Sequence, residues 1–396
     1  MNYFVKKSRI PVLAISVIFL STLFHDTSSF ARPLILAGIL IPAMIAISKG
    51  AQAVTVAFAF LIVFALELAA GMWSIAQNEI PPSIYASFVA TEGVYSVWFM
   101  FYMLLGILRG VDDNRSTNNY IIIGLNILLL IRARNTFPLF PFNELYPDQQ
   151  VDHLSLTEPL IILSMLSVAF DHSYRKSTVL ALLICLLTSV VCQARSSIMI
   201  EIMLITLYLL RWRRLKLIIG LSGSLAGVVA TASLIAVLNE SQRFAILTEG
   251  NITVDSSAMA RLAQIEYAIE LLGNPRTWVL GDIFAPYQYF GGHGNYAHNA
   301  LSIVADYGIP GALLFILLWR NLFSLSKNTQ NPGILILIAA MTVSILLFKS
   351  RTWAMLYLSS GIVLVDKMEQ LVRKGLFKKE RRQAYDNKGK LEVSSP

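Results

Sequence analysis

Apolar residues come in long runs along most of the chain, with short polar connections between them. The runs fall near residues 10–24, 34–48, 52–72, 89–108, 120–131, 157–170, 178–192, 196–210, 217–238, 299–319, 333–348 and 354–366. A straight helix needs about 20 residues to cross a bilayer, so the shorter runs have to extend into their polar flanks. The pattern predicts an all-α polytopic membrane protein with about 12 transmembrane helices.

The composition supports this fold class. Hydrophobic residues make up 56% of the 396 residues, charged residues only 14%, and the mean hydropathy is +0.62. Soluble domains carry about 25% charged residues. The net charge of +8 is concentrated in connections and in the C-terminal tail, so it indicates contact with membrane lipids and no binding of nucleic acid. Lys6, Lys7 and Arg9 precede the first apolar run without a clear cleavage site after it, which favours a retained helix over a signal peptide.

Positive charge alternates between successive connections. Lys and Arg are expected on the cytoplasmic side of a membrane protein. If the N-terminus is cytoplasmic, the even-numbered connections are cytoplasmic too, and they contain Lys49, Arg109, Arg115, Arg175, Lys176, Arg211, Arg213, Arg214, Lys216, Arg320 and Lys327. The sequence therefore predicts one transmembrane domain over residues 1–366, cytoplasmic termini, and a basic cytoplasmic tail at 367–396.

Two long connections, at 132–158 and 239–298, fall on the opposite, outer side. Connections of this length are often functional. In the second, Asp255 or Ser256 can begin a helix that Gly273 ends. An apolar stripe at helical spacing predicts that this helix is amphipathic, and that it lies on the membrane or caps the bundle. The stripe consists of Leu262, Ile265, Ile269 and Leu272.

Two arginines on the outer side are candidates for binding a substrate. Arg195 stands in Cys192-Gln-Ala-Arg-Ser-Ser197, between two apolar runs. It is either functional or an arginine whose charge reaches the membrane surface. Arg261 lies in the first turn of the loop helix, opposite the apolar stripe, where a cation is slightly unfavourable with the helix dipole. The plain alternative is a solvated residue.

Histidines occur where the second long connection returns to the membrane. His293 and His298 both lie in a Gly-rich stretch over 291–301, and Asn299 follows His298 directly. A histidine can transfer protons or donate hydrogen bonds to sugar hydroxyls near neutral pH. The alternative is an interfacial polar residue.

Further candidates are Arg351, beside Lys349 and Trp353, and residues of the first long connection. For Arg351 the alternative is anchoring to lipid head groups, with Trp353 in the aromatic belt. Arg134 is a candidate for binding substrate, and Arg132 and His153 are weaker ones.

Together these residues place several cations on one side of the membrane, which suits a polyanionic lipid-linked substrate. Guanidinium groups bind phosphates through paired, charge-assisted hydrogen bonds. The sequence has no phosphate-binding loop, no dinucleotide fingerprint and no zinc-ligand spacing. We therefore expect no metal and no other cofactor.

Three ordered segments resemble the superfamily of bacterial O-antigen ligases and O-antigen polymerases. The first is Gln193 to Ser197, with Arg195 at the head of a helix. The second is Ala260 to Leu262 through Gly273 and Pro275 to Gly281, which is similar to the family's arginine helix and the turn after it. The third is the His298-Asn299 pair with Gly308 and Gly311 downstream.

The resemblance implies a fold like that of the C-type membrane glycosyltransferases and a metal-independent, inverting transfer. The donor would be a glycan on undecaprenyl pyrophosphate, and the site would lie at the periplasmic face of the bacterial inner membrane. Arg195 and Arg261 would bind the pyrophosphate, and His298 would lie at the reacting centre, as a general base or as a group that positions the acceptor.

The resemblance leaves two reactions open. A ligase passes the glycan to lipid A-core, whereas a polymerase of O-antigen or exopolysaccharide passes it to another lipid-linked repeat unit. The His-Asn motif directly after the long connection favours the ligase. A transporter of lipid-linked oligosaccharides is the alternative from another class, but transporters often carry charges within several helices, whereas here charge concentrates at one face.

Overall fold

A computed structural model describes about three fifths of the chain. The described residues are 10–24, 65–66, 68–76, 82–109, 119–136, 139–146, 151, 153–171, 173–214, 256–290, 300–329, 331–347, 349, 353–367 and 370. Every regular element within these ranges is a helix. The protein is therefore all-α over the part of the chain that the structure describes.

The helices are numbered here in chain order. They are α1 Ile10–Leu23, α2 Pro82–Arg109, α3 Asn119–Arg132, α4 Phe142–Leu145, α5 His153–Ala169, α6 Lys176–Val191, α7 Arg195–Arg211, α8 Ser256–Leu272, α9 Thr277–Leu280, α10 Ala285–Phe290, α11 Leu301–Thr329 and α12 Pro332–Leu347. A further helix, α13, covers 354–367, and residues 68–76 are also helical.

Most predicted apolar runs that fall on described residues coincide with a helix. The runs near 34–48 and 217–238 lie outside the described residues. Within the described part, α11 alone is long and apolar enough to cross a membrane on length and composition, and several other apolar helices have only 10–17 residues. The number of twelve transmembrane helices therefore stays a prediction.

Helix α5 lies at the centre of the bundle. Every residue from Pro159 to Ala169 is buried, and α5 contacts α1, α3, α6, α7 and α12. A helix that is apolar around its whole circumference is expected in such a central position. By contrast α11 leaves Leu313, Ile316 and Leu317 half-exposed or more, which a lipid environment tolerates better than water.

The chain connections divide between two ends of this bundle. At the end that we call the Arg195 end, the Tyr146 hydroxyl donates to the Leu23 carbonyl at 2.6 Å, and the Phe140 N–H donates to the Val191 carbonyl at 3.0 Å. These contacts join the end of α1, the connection at 132–158 and the turn between α6 and α7. Three of the connections that charge assigned to the outer side thus meet at one end.

At the opposite end, which we call the Asp171 end, a buried polar network joins the helices. The fully buried Asp171 carboxylate accepts hydrogen bonds from Thr178 and Tyr208, each at 2.7 Å, and pairs with Arg175 at 3.2 Å. The Asn331 side chain donates to the Ala169 carbonyl at 2.8 Å. The basic connections at 175–176 and 211–214 lie at this end.

The second long connection forms a compact cap over 256–290, built against the first turns of α11. Gly281 and Gly308 both have positive φ, 75° and 62°, and their backbones pack on each other. A Cβ on Gly308 would lie 2.7 Å from the Trp278 carbonyl oxygen. The Asp282 N–H also donates to the Ala305 carbonyl at 2.7 Å. The glycines of two separate sequence motifs therefore form one backbone contact.

Candidate functional site

Arg195 is the first residue of α7 and is half-buried. The tight turn before it has Gln193 at φ 52°, in the left-handed region. Two backbone bonds hold this turn, because the N–H groups of Gln193 and Ala194 donate to the carbonyls of Val190 and Ser189, each at 2.9 Å. The Arg195 backbone is therefore fixed relative to both α6 and α7.

The N-terminus of α7 has features of an anion-binding site. Ala194 occupies the N-cap position and offers no side-chain cap. The positive end of the helix dipole and the first N–H groups favour a bound anion at such a position. Nearby, the Ser197 and Thr157 hydroxyls lie 2.9 Å apart and tie α7 to α5. Arg195 thus adds a guanidinium to a helix end that already favours negative charge.

A lysine and a carboxylate lie at the same end of the bundle. The buried Lys349 ammonium is 3.7 Å from a Glu158 oxygen, and Glu158 directly follows Thr157 in α5. The Lys349 nitrogen also lies 6.0 Å from the centroid of the Trp353 ring. Trp353 is only 2% exposed. Its proposed place in an aromatic belt facing lipid is therefore wrong, because it packs inside the bundle under Lys349.

The first long connection adds two more arginines. The Arg132 guanidinium lies 5.3 Å from the centroid of the Phe24 ring, and Arg134 is exposed in the turn that follows α3. His153, which begins α5, is half-buried at this end. Phe140 and Tyr146 are buried and anchor the connection on the bundle. Arg134 is therefore positioned by an ordered segment.

Arg261 is half-buried, and its position in α8 differs from the prediction. The buried residues of this helix include Gln264 and Ala268, which lie three and seven positions after Arg261 and so share its side of the helix. Ala268 packs on Ala305 of α11. Arg261 therefore lies at the edge of the packing face, which disfavours the alternative of a fully solvated residue.

The predicted apolar stripe of α8 does not form this packing face. Leu262 and Ile269 of the stripe are 43% and 58% exposed. Two alanines, one on each helix, let α8 and α11 approach more closely than leucine or isoleucine would. Ala268 and Ala305 lie at the centre of the contact, and Leu262 and Ile269 face away from it.

Hydrogen bonds hold the rest of the cap. The Asp282 carboxylate accepts from the N–H groups of Phe284 and Ala285 at 3.2 and 3.1 Å, and the Tyr267 hydroxyl donates to the Ala285 carbonyl at 3.1 Å. Burial, together with the nearby negative charges of Asp282 and Glu270, raises the pKa of Tyr267 to about 12. Tyr267 therefore stays a neutral donor at any physiological pH.

Four candidate residues lie outside the described residues: His293, His298, Asn299 and Arg351. The structure does describe what surrounds the His-Asn motif in the chain. Helix α11 begins at Leu301, three residues after His298, and Leu301 packs against Ala268 and Ala305. The helix that carries Arg261 therefore contacts the first turn after the motif.

The first turns of α11 connect the cap to the bundle. Ile303 belongs to the main core, Ala305 contacts α8, and Tyr307 packs on Ile283 and Phe284 of the cap. Arg195 belongs to the bundle and Arg261 to the cap, and the first turns of α11 contact both. The contacts described above do not join the two arginines directly in a single cluster.

An apolar groove of about 290 Å³ lies between α11 and α13. Ile303 and Tyr307 line it near the cap, and Lys367 lines it toward the other end. Apart from Asn321, Ser360 and Lys367, its lining residues are mainly apolar. The groove therefore offers space for an apolar chain beside the segment that links the cap to the bundle.

The Lys349–Glu158 pair is the part of this end that the sequence did not indicate. Lys349 stood next to a candidate arginine, but Glu158 stood within an apolar run, and nothing in the sequence links the start of α5 to the end of α12.

Within the described residues, no group of three or more His, Cys, Asp or Glu side chains could hold a metal ion.

Comparisons with protein-family models, with curated proteins and with solved structures gave no match for this chain.

Proposed function

We propose that this protein is a membrane glycosyltransferase, and specifically an O-antigen ligase. It transfers a glycan from undecaprenyl pyrophosphate to a sugar of lipid A-core, on the periplasmic side of the bacterial inner membrane. The observation that carries the proposal is the Arg195 end: an arginine at an uncapped helix N-terminus, with Lys349, Arg132 and Arg134 at the same end of the bundle.

These cations suit a pyrophosphate as the leaving group. The acceptor hydroxyl attacks the anomeric carbon while the bond from that carbon to the pyrophosphate oxygen breaks, and the electron pair stays on the pyrophosphate. Arg195, together with the N-terminus of α7, is placed to stabilise the negative charge that grows there. Arg261 would contribute from the cap.

The acceptor proton needs a group to receive it. In this proposal His298 takes that proton or orients the hydroxyl. The contact of Leu301 with α8 supports this role, because it sets the start of the helix after the motif against the helix of Arg261. No metal ion takes part in the proposed mechanism.

The proposed lipid carrier also suits the groove between α11 and α13. A prenyl chain is apolar and flexible, and about 290 Å³ would accommodate part of it. The groove begins at Ile303 and Tyr307, close to the cap. The carrier's chain would then lie along the bundle while its pyrophosphate reaches the Arg195 end.

The lipopolysaccharide of a deletion strain tests this function. We expect core without any O-chain, together with polymer that accumulates on the carrier lipid, and restoration of the full ladder by the intact gene. Core that bears a single repeat unit would instead assign the polymerase reaction. A normal ladder would contradict both reactions.

A further inference from the structure

A carboxylic acid lies in the interior of the bundle, away from the Arg195 end. Glu201 is the seventh residue of α7 and is 0% exposed. Six residues separate it from Arg195, or roughly 9 Å along the helix axis. The proposed transfer reaction does not use this side chain.

The neighbours of Glu201 are one hydroxyl and one thiol, and both groups are uncharged. The Ser164 hydroxyl on α5 and the Cys185 thiol on α6 interact with its carboxyl group. Neither makes a hydrogen bond of ordinary geometry to Oε1 or Oε2, and the Ser164 hydroxyl itself has no such partner. Both carboxyl oxygens are therefore buried and poorly satisfied.

No cation among the described residues balances a charge on Glu201. Where both partners are described residues, the ion pairs are Arg175–Asp171 and Lys349–Glu158, and both lie at the bundle ends. Besides Glu201 and Cys185 themselves, the titratable side chain that influences their contact is Cys192. Helix α12, which also packs on α7, has no titratable side chain over 332–347.

The same bundle holds a second buried carboxyl group for comparison. Asp171 is also 0% exposed, but it accepts from Thr178 and Tyr208 and pairs with Arg175 at 3.2 Å. Those partners satisfy the hydrogen-bonding capacity of the Asp171 carboxyl group and set a cation beside it. Within the described part of the chain, Glu201 has neither such hydrogen-bond donors nor a paired cation, so the two acids are equally buried but differ in their polar partners.

An unpaired carboxylate in an apolar interior is so unfavourable that such a group takes up a neutralising cation. A hard metal cation at this position would need several oxygen ligands, and the Cys185 thiol is a soft ligand that binds such a cation poorly. A proton needs no ligands besides the carboxyl group itself. We propose that Glu201 is a proton-binding site inside the helical bundle, and that its carboxylic acid is a modification site for hydrophobic carbodiimides. This proposal does not depend on the transfer reaction.

The modification follows from the acid form. A carbodiimide nitrogen takes the proton of the carboxylic acid, and the carboxyl oxygen then adds to the central carbon. Migration of the acyl group to nitrogen gives a stable N-acylurea. Nothing leaves in this addition, so the modified peptide gains the full mass of the carbodiimide. An ionised, paired carboxylate does not supply the proton.

The full-length protein in liposomes, treated with dicyclohexylcarbodiimide at neutral pH, tests the proposal by peptide mass spectrometry. We expect label on Glu201, no label on Asp171, and loss of the label in Glu201→Gln. Sodium ions should not protect Glu201, whereas raising the pH should reduce its labelling. Protection by sodium, or labelling of Asp171 in preference to Glu201, would overturn the proposal.

Infrared spectroscopy gives a second measurement that does not require a reagent to reach the site. The carbonyl stretch of a protonated carboxyl group should appear in wild-type protein at neutral pH, shift in D2O, and disappear in Glu201→Gln. If wild-type protein lacks this band, Glu201 is ionised and the proposal is wrong. If the glutamine variant does not fold, the carbodiimide labelling of Glu201 in wild-type protein decides.

Discussion

Arg195 has an environment that differs from that of Arg213, which lies near the other end of the same helix. The turn at 192–194 and the start of α7 fix its backbone, and its side chain is half-buried. Arg213, just beyond the other end of α7, is exposed. A guanidinium binds phosphate oxygens through two parallel hydrogen bonds, which the single ammonium of a lysine does not reproduce.

The two histidines of the Gly-rich stretch provide a sharp comparison at the scale of single residues. We predict that His298→Ala loses at least about 100-fold in transfer rate, the scale of one acid–base group, and that His293→Ala loses much less. His298 lies just before α11, whereas glycines flank His293. The measurement is transfer by purified protein at matched protein levels. An inactive His293→Ala with an active His298→Ala would show that the motif is misaligned.

The sequence identified single residues better than it identified pairs. Arg195 stood out because a cation between two apolar runs on the outer side is unusual, and the structure does place it at the head of a helix. Glu158 could not stand out, because its pairing with Lys349 depends on the start of α5 meeting the end of α12. Pairs of this kind depend on packing across nearly 200 residues of chain.

At the scale of elements, the cap depends on the two glycines that join it to α11. Gly308 combines φ 62° with ψ −151°, a region that residues with a Cβ essentially never occupy. Space is also short, since a Cβ there would lie within 3 Å of the Trp278 carbonyl oxygen and the Gly281 nitrogen. The sequence motif with two glycines thus has a structural reason.

We predict that Gly308→Ala loosens the cap. The backbone strain alone should cost about 1–3 kcal/mol, so limited proteolysis should cut within 256–290 faster and the thermal midpoint should fall. Gly124→Ala is the matched control, because a Cβ on this residue of α3 meets nothing within 4 Å. Equal proteolysis of the two variants would contradict the described contact.

The helix in the cap shows where sequence reasoning about elements stops. Its existence and its end near Gly273 were predictable from a capping residue, a helical stripe and a turn. The face of the helix that packs on α11 could not be predicted, because Ala268 and Ala305 contribute little to hydrophobic periodicity. Small residues determine close helix contacts by the space that they leave, and a pattern of large apolar residues does not reveal this.

At the scale of the whole molecule, the described helices separate two sets of connections. The basic connections around Arg175 and Arg214 lie at the Asp171 end, and the candidate site lies at the Arg195 end. Charge alternation in the sequence predicted this separation. It could not reveal the central position of α5, which depends on how the helices pack around it.

Reporter fusions test which end faces the cytoplasm. Fusions after Leu238 and after Lys327 should report opposite sides, the first periplasmic and the second cytoplasmic, because Lys and Arg are retained on the cytoplasmic side. A cysteine placed at Gly250 should react with an impermeant reagent from outside. Reaction of that cysteine only from the cytoplasm would remove the basis for a periplasmic site.

The central claim is that the Arg195 end binds the pyrophosphate of a lipid-linked donor during glycan transfer. The most direct measurement uses purified protein with undecaprenyl-pyrophosphate-linked glycan and lipid A-core, in the presence of a metal chelator. We predict transfer by the wild-type protein and by Arg213→Gln, and a loss of about 10²–10³-fold in Arg195→Gln, with poor rescue by lysine. Full activity of Arg195→Gln, or equal loss in both glutamine variants, would contradict the account.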